Sequence, residues 1–147
     1  MPLNYILLLI FTLAEAYLVG MACSYYTPFA VITSAAGTAL ITLSLTVYAM
    51  TTSTDFTMMR GIIWVLSMTL TMFVLFTFLI YPGNLLYMVI NFLVLGLFGL
   101  FLVFDTQLIQ GKGRHKLSLD DYIVGALILY IDIVTIFLEL LKLCGGR

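Results

Sequence analysis

Charge is what this sequence has least of. Only 9% of its 147 residues are Asp, Glu, Lys or Arg, and 63% are hydrophobic, where a soluble domain carries about 25% charged residues. With a mean hydropathy of +1.19, the chain has too little polar surface to face water, and it reads as an integral membrane protein. The net charge of −1 excludes a nucleic-acid binder, which needs a basic face. Two distant cysteines, Cys23 and Cys144, exclude a disulfide framework or a zinc site drawn from spacing. Gly20-Met21-Ala22-Cys23 looks faintly like a lipoprotein cleavage site, without the basic residues that should precede one. There is no Gly-rich phosphate loop, no nucleophile paired with a base and no HExxH, so soluble-type catalysis has no support. No repeat, low-complexity tract or soluble domain interrupts the chain.

What is present is a set of long apolar runs. Spanning about 30 Å of hydrocarbon takes about 20 helical residues. Five segments suffice: Tyr5 to Tyr26, Pro28 to Met50, Gly61 to Tyr81, Leu85 to about Leu108, and Tyr122 to Leu143. The fold class is therefore all-α, a polytopic transmembrane bundle forming one domain over residues 1–147. Pro28 suits the first position of a helix, where its missing N–H costs nothing. Tyr81-Pro82-Gly83-Asn84 is a turn signal.

Positive residues orient the bundle. Arg60 lies between the second and third segments, and Lys112, Arg114 and Lys116 lie between the fourth and fifth. Positive loops stay cytoplasmic, which gives a cytoplasmic N-terminus and a C-terminus on the far side. Lys142 and Arg147 run against that placement. A fifth segment that dips into the membrane and returns would remove the conflict.

Two aspartates stand out against this background. Asp132 sits mid-way along the last apolar segment, and Asp105 closes the fourth in Phe104-Asp105-Thr106-Gln107. An ionisable residue at membrane depth costs about 2.5–3.5 kcal/mol on insertion scales, which makes it a functional candidate. Steps of three and four from Asp132 collect Asp121, Gly125, Ile128, Thr135 and Glu139 on one face of the helix. That face must look into the bundle, with Thr135 and Glu139 as supporting polar groups. Two carboxylates in contact either share a proton or hold a hard cation through their oxygens; calcium would need further oxygen ligands.

Other polar residues admit plainer readings. Glu15, within Phe11-Thr12-Leu13-Ala14-Glu15-Ala16, is either a packed acid or a further supporting group. Asn91 reads as interhelical glue. Ser34, Thr38, Thr42 and Thr46 recur every four residues, a spacing that allows close helix contact. His115 has no ligand-spaced partner and reads as solvated.

The run around Glu15, together with Thr54-Asp55-Phe56-Thr57, Phe104-Asp105-Thr106-Gln107 and Leu129-Tyr130-Ile131-Asp132-Ile133, resembles in identity and order the transmembrane Bax inhibitor motif family. Gly113-Arg114-His115-Lys116-Leu117-Ser118-Leu119-Asp120-Asp121-Tyr122 resembles its lifeguard branch. The resemblance covers essentially the whole chain. It implies a seven-helix bundle with the last helix central, a calcium-leak activity in an internal membrane (endoplasmic reticulum or Golgi, the plasma membrane being the alternative), and inhibition of cell death. It also implies a pH-responsive di-aspartyl site, which falls on Asp105 and Asp132. A different class of reading stays open, a non-conducting protein acting through membrane-protein partners in cell-death signalling. Met1-Pro2-Leu3-Asn4 corresponds to the start of the family's third helix. Two upstream helices, one carrying a basic residue that faces the acids, are not in these 147 residues. Five helices are therefore expected to leave the stripe of the last helix poorly enclosed. Asp132 and Glu139 would then face lipid or a water-filled groove without a compensating partner, so the chain alone is expected to be unstable or to form a homo-oligomer that covers that side.

The charge pattern generates a topological prediction. Single cysteines placed in the 52–59 segment and in the 112–120 segment are expected to label from the same side of sealed vesicles. Labelling from opposite sides would require a different number of crossings.

Overall fold

The computed structural model describes residues 2–80, 83–111 and 122–145. The basic residues Lys112, Arg114 and Lys116, together with His115 and Asp121, lie outside the described residues, as do Tyr81 and Pro82 of the expected turn. Five long helices account for nearly all of the rest: α1 (Pro2–Ser24), α2 (Pro28–Thr51), α3 (Arg60–Ile80), α4 (Asn84–Gln110) and α5 (Tyr122–Cys144). Each is long and apolar enough to cross a membrane. A single 3-10 turn, Phe56–Met59, sits between α2 and α3 and was not apparent from the apolar pattern.

The helix ends follow local chemistry. Thr27 caps α2 by accepting a hydrogen bond from the Ala30 N–H, with Pro28 immediately after it. α4 stops at Gly111, whose φ of 68° is left-handed and whose N–H returns to the carbonyls of Gln107 and Leu108. Within the spans, Thr12, Ser44, Thr71, Thr77 and Thr135 donate to carbonyls four residues back on their own helices. Their hydroxyl protons are thereby satisfied where no water competes.

Three helices form the core. α2, α4 and α5 pack on one another, α1 touches mainly α5, and α3 leans on α4 and the 3-10 turn. The edge-to-face contact of Phe11 with Tyr130, with ring centres 6.1 Å apart, is part of the α1–α5 contact. Large side chains of α1 and α3, including Leu13, Tyr17, Trp64 and Phe76, point outward. That is the expected direction where the solvent is lipid. Ser34 and Thr38 of the small-residue stripe on α2 are buried, while Thr42 and Thr46 are half-buried.

Two sequence expectations are corrected. α5 is one unbroken helix of 23 residues, about 35 Å at 1.5 Å per residue, which is a crossing length and not a returning hairpin. The stripe of α5 is not left open either. Asp132 is only 5% exposed and Glu139 only 6%, because α5 packs against both α2 and α4, and Glu139 is paired with Lys142.

Close approach of α2 and α4 depends on Gly99. A methyl group there would meet Leu45 Cδ1 at 3.2 Å. Gly99→Leu is expected to lower stability by about 1–3 kcal/mol through overpacking, read as a reduced melting temperature in detergent.

Candidate functional site

Six consecutive residues of α4, Leu102 to Gln107, are all buried. A helix hidden on every side here must find internal partners for each polar group, and three of the six are polar. Successive side chains point about 100° apart, so Asp105, Thr106 and Gln107 face three different neighbours. Thr106 donates its hydroxyl to the Leu102 carbonyl at 2.6 Å.

Gln107 reaches the segment joining α2 to α3. Its Oε1 accepts from the Phe56 N–H at 2.8 Å, and its Nε2 donates to the carbonyls of Thr54 (2.9 Å) and Ala49 (3.3 Å). Ala49 lies in the last turn of α2, where carbonyls lack an intrahelical partner. One amide therefore satisfies a helix end and fixes a loop. Asp55 supports the same loop by accepting from both the N–H and the hydroxyl of Thr57, whose side chain is fully buried. Tyr48 packs edge-on against Phe56 at 6.1 Å.

Asp105 faces α5 and meets Asp132. The two carboxyl groups lie close enough to interact directly, and both residues are buried. Two anions in such contact inside an apolar bundle repel, and a shared proton relieves the repulsion. Asp132 Oδ2 is buried and accepts no hydrogen bond from an N–H or hydroxyl group among the described residues. The described residues contain no group of three or more His, Cys, Asp or Glu able to hold a metal. The pair by itself therefore offers a cation few of the six to eight oxygens calcium prefers.

The remaining sequence candidates do not join the pair. Glu15 is half-buried on α1, and no hydrogen bond or ion pair links it to the aspartates among the described residues. Thr135 spends its proton on the Ile131 carbonyl at 2.8 Å. Glu139 lies two turns beyond Asp132 on the same face and forms an ion pair with Lys142. This pairing gives Lys142 a local partner, although positive-inside reasoning treated it as a stray charge. Asn91 is buried, with its Nδ2 unpartnered among the described residues, so its reading as interhelical glue gains no bond there.

Sequence reasoning gave no role to Gln107, Asp55 or Lys142. A glutamine in a buried apolar helix signals that several hydrogen bonds are needed, but its partners lie more than 50 positions away.

A helical bundle with five spans and an acidic pair buried at the seam of two of them is an integral, multi-pass membrane protein. The family described as "Inhibitor of apoptosis-promoting Bax1" matches residues 1–147, and the chain belongs to it. It is similar to Protein lifeguard 3 of Homo sapiens, 38% identical over 99% of this chain and 48% of that protein. The Mus musculus Protein lifeguard 3 is 40% identical over the same shares. Protein LIFEGUARD 3 of Arabidopsis thaliana is 36% identical over 95% of this chain and 56% of that protein. The chain thus spans about half the length of these relatives.

Removing the Gln107 amide strips three hydrogen bonds from the 49–57 segment. Gln107→Ala is expected to cost about 1–3 kcal/mol and to speed protease cleavage within residues 52–59. An unchanged melting temperature and cleavage rate would count against the clasp.

Proposed function

We propose that this chain forms part of a membrane cation leak for calcium, with Asp105 and Asp132 as its proton-responsive site, serving to restrain cell death. The supporting observation is the buried carboxyl pair itself, Asp105 against Asp132. Burying two acids in contact is costly, which makes an ionisable pair at membrane depth a functional candidate. The family name, which speaks of inhibiting an apoptosis-promoting protein, supports the link to survival.

The chemistry follows from competition. A proton shared between the carboxyls ties α4 to α5 at mid-depth. A hard cation uses the same oxygens and must displace that proton. Cation occupancy is therefore promoted by rising pH and opposed by falling pH. Gln107 keeps the 49–57 segment over the end of α4, so the pair is reached past a fixed cover. A calcium leak serves a membrane that bounds a calcium store, such as the endoplasmic reticulum or Golgi.

Calcium flux into liposomes tests this reading. The wild type is expected to leak in a pH-dependent way. Asp105→Asn and Asp132→Asn keep the shape and remove the titratable oxygen, and are expected to cut flux about tenfold or more and flatten its pH profile. Wild-type flux indistinguishable from empty liposomes, with survival still supported in cells, would instead favour a non-conducting protein acting through membrane partners.

A further inference from the structure

A cavity of about 310 Å³ lies between α3, α4 and α5, toward the end of the bundle where α4 begins and α5 finishes. α3 packs on α4 and the 3-10 turn but scarcely on α5, and the cavity occupies that gap. Its walls are mostly apolar, with Val74, Ile90 and Val94 among them, and it is open on one side. Its volume falls in the range of small-molecule pockets, which begins at roughly 300 Å³. Two buried polar side chains interrupt the apolar walls, Glu139 at 6% exposure and Asn91 at 4%. Glu139 Oε2 and Asn91 Nδ2 have no hydrogen-bond partner among the described residues. Polar atoms left so are costly, and a guest that satisfies them is favoured to the same degree.

The two atoms differ in kind, and the difference selects the guest. Asn91 Nδ2 is a donor and needs an acceptor, whereas Glu139 Oε2 is an acceptor and needs a donor. Lys142 holds the other oxygen of Glu139, so acid and base cancel and the cavity offers no net charge. A phosphate would be repelled by the carboxylate, and a hard cation would meet the Asn91 N–H. A hydroxyl group donates and accepts at once and carries no charge. Depth narrows the source. Glu139 stands five residues before the end of α5 and Asn91 seven after the start of α4, about 8 and 10 Å inside at 1.5 Å per residue. An opening between spans at that depth gives on to the bilayer, a short way below its headgroups.

We propose that this cavity binds a membrane lipid whose head is a single uncharged hydroxyl, a sterol or a diacylglycerol. The hydroxyl donates to Glu139 Oε2 and accepts from Asn91 Nδ2. The apolar body lies against Val74, Ile90 and Val94, and its remainder extends through the open side into the bilayer. Bound there, the lipid fills the gap between α3 and α5, two helices that touch little by themselves. The site is separate from Asp105 and Asp132 and does not depend on the leak reading.

Photo-crosslinking to the purified full chain in lipid nanodiscs tests the assignment. The probes are a sterol and a diacylglycerol, each with a diazirine in its apolar part, and labelled residues are located by mass spectrometry. Labelling is expected on the cavity walls, saturable and displaced by the unlabelled lipid. The lipid that displaces at the lower concentration identifies the source. Methyl ether analogues keep the acceptor and lose the donor, and are expected to displace about tenfold less well. Asn91→Leu is expected to weaken labelling about fivefold and Glu139→Gln about tenfold. Val94→Phe fills the apolar part and is expected to abolish it. The wild type, but not Val94→Phe, is expected to melt at a higher temperature with the lipid present. Melting temperatures also establish which variants are folded, and the ether analogues carry the test on the wild type if a variant is not. Labelling that does not saturate, that the ethers displace equally well, or that ignores Glu139→Gln and Val94→Phe overturns the assignment and leaves the cavity to water or ordinary acyl chains.

Discussion

The contact between Asp105 and Asp132 is the constraint around which the bundle is arranged. Hydrocarbon offers a carboxyl group nothing, so both acids must be turned inward and covered. Covering them requires α2 to close over the seam between α4 and α5. That requirement explains why these three helices form the core while α1 and α3 keep large apolar faces for lipid. It also accounts for the unbroken burial from Leu102 to Gln107, the longest buried run among the described residues.

The same logic extends to the groups around the pair. Once α4 is hidden on all sides, Thr106 and Gln107 cannot turn to water and must bond internally. Gln107 does so by taking up the end of α2 and the loop beyond it. A position chosen for burial thereby becomes the anchor of a connecting segment. Further along α5, Glu139 is buried with its own cation three residues on, a local pairing that needs no other helix. The acids on this stripe are therefore held differently, one by a helix partner and one by its own helix.

The packing also decides which polar groups are left without partners. The buried side-chain atoms without partners among the described residues lie on all three core helices, at Ser34 and Thr42 of α2, Asn91 of α4, and Asp132 and Glu139 of α5. Which groups lack a partner is set by how the helices pack. Mobile loops are not needed to explain that property, because rigid helices supply every one of these groups.

Much of the fold was legible because the membrane reduces the choices. With no water to satisfy the backbone, an apolar run of twenty or more residues has only the helix available, and the five spans agree with their apolar segments to within a few residues. The inward stripe of α5 was legible for the same reason, since seven-residue spacing fixes a face whatever the neighbours are. Spacing could not decide which residues meet across helices. Asp105 and Asp132 were expected to pair from their depth and from the family resemblance, whereas Glu15 and Thr135, read as possible supporting groups, stay apart from the pair. The bonds of Gln107 to Ala49, Thr54 and Phe56 depend on how α2 and α4 end beside each other. The enclosure of Asp132 and Glu139 was misjudged from the number of helices, because closure depends on how tightly α2, α4 and α5 approach, with Gly99 giving α2 room against α4. Composition and periodicity act within a segment and are fixed by the sequence alone; contact, enclosure and the location of the unsatisfied oxygens act between segments, and only the packed bundle decides them.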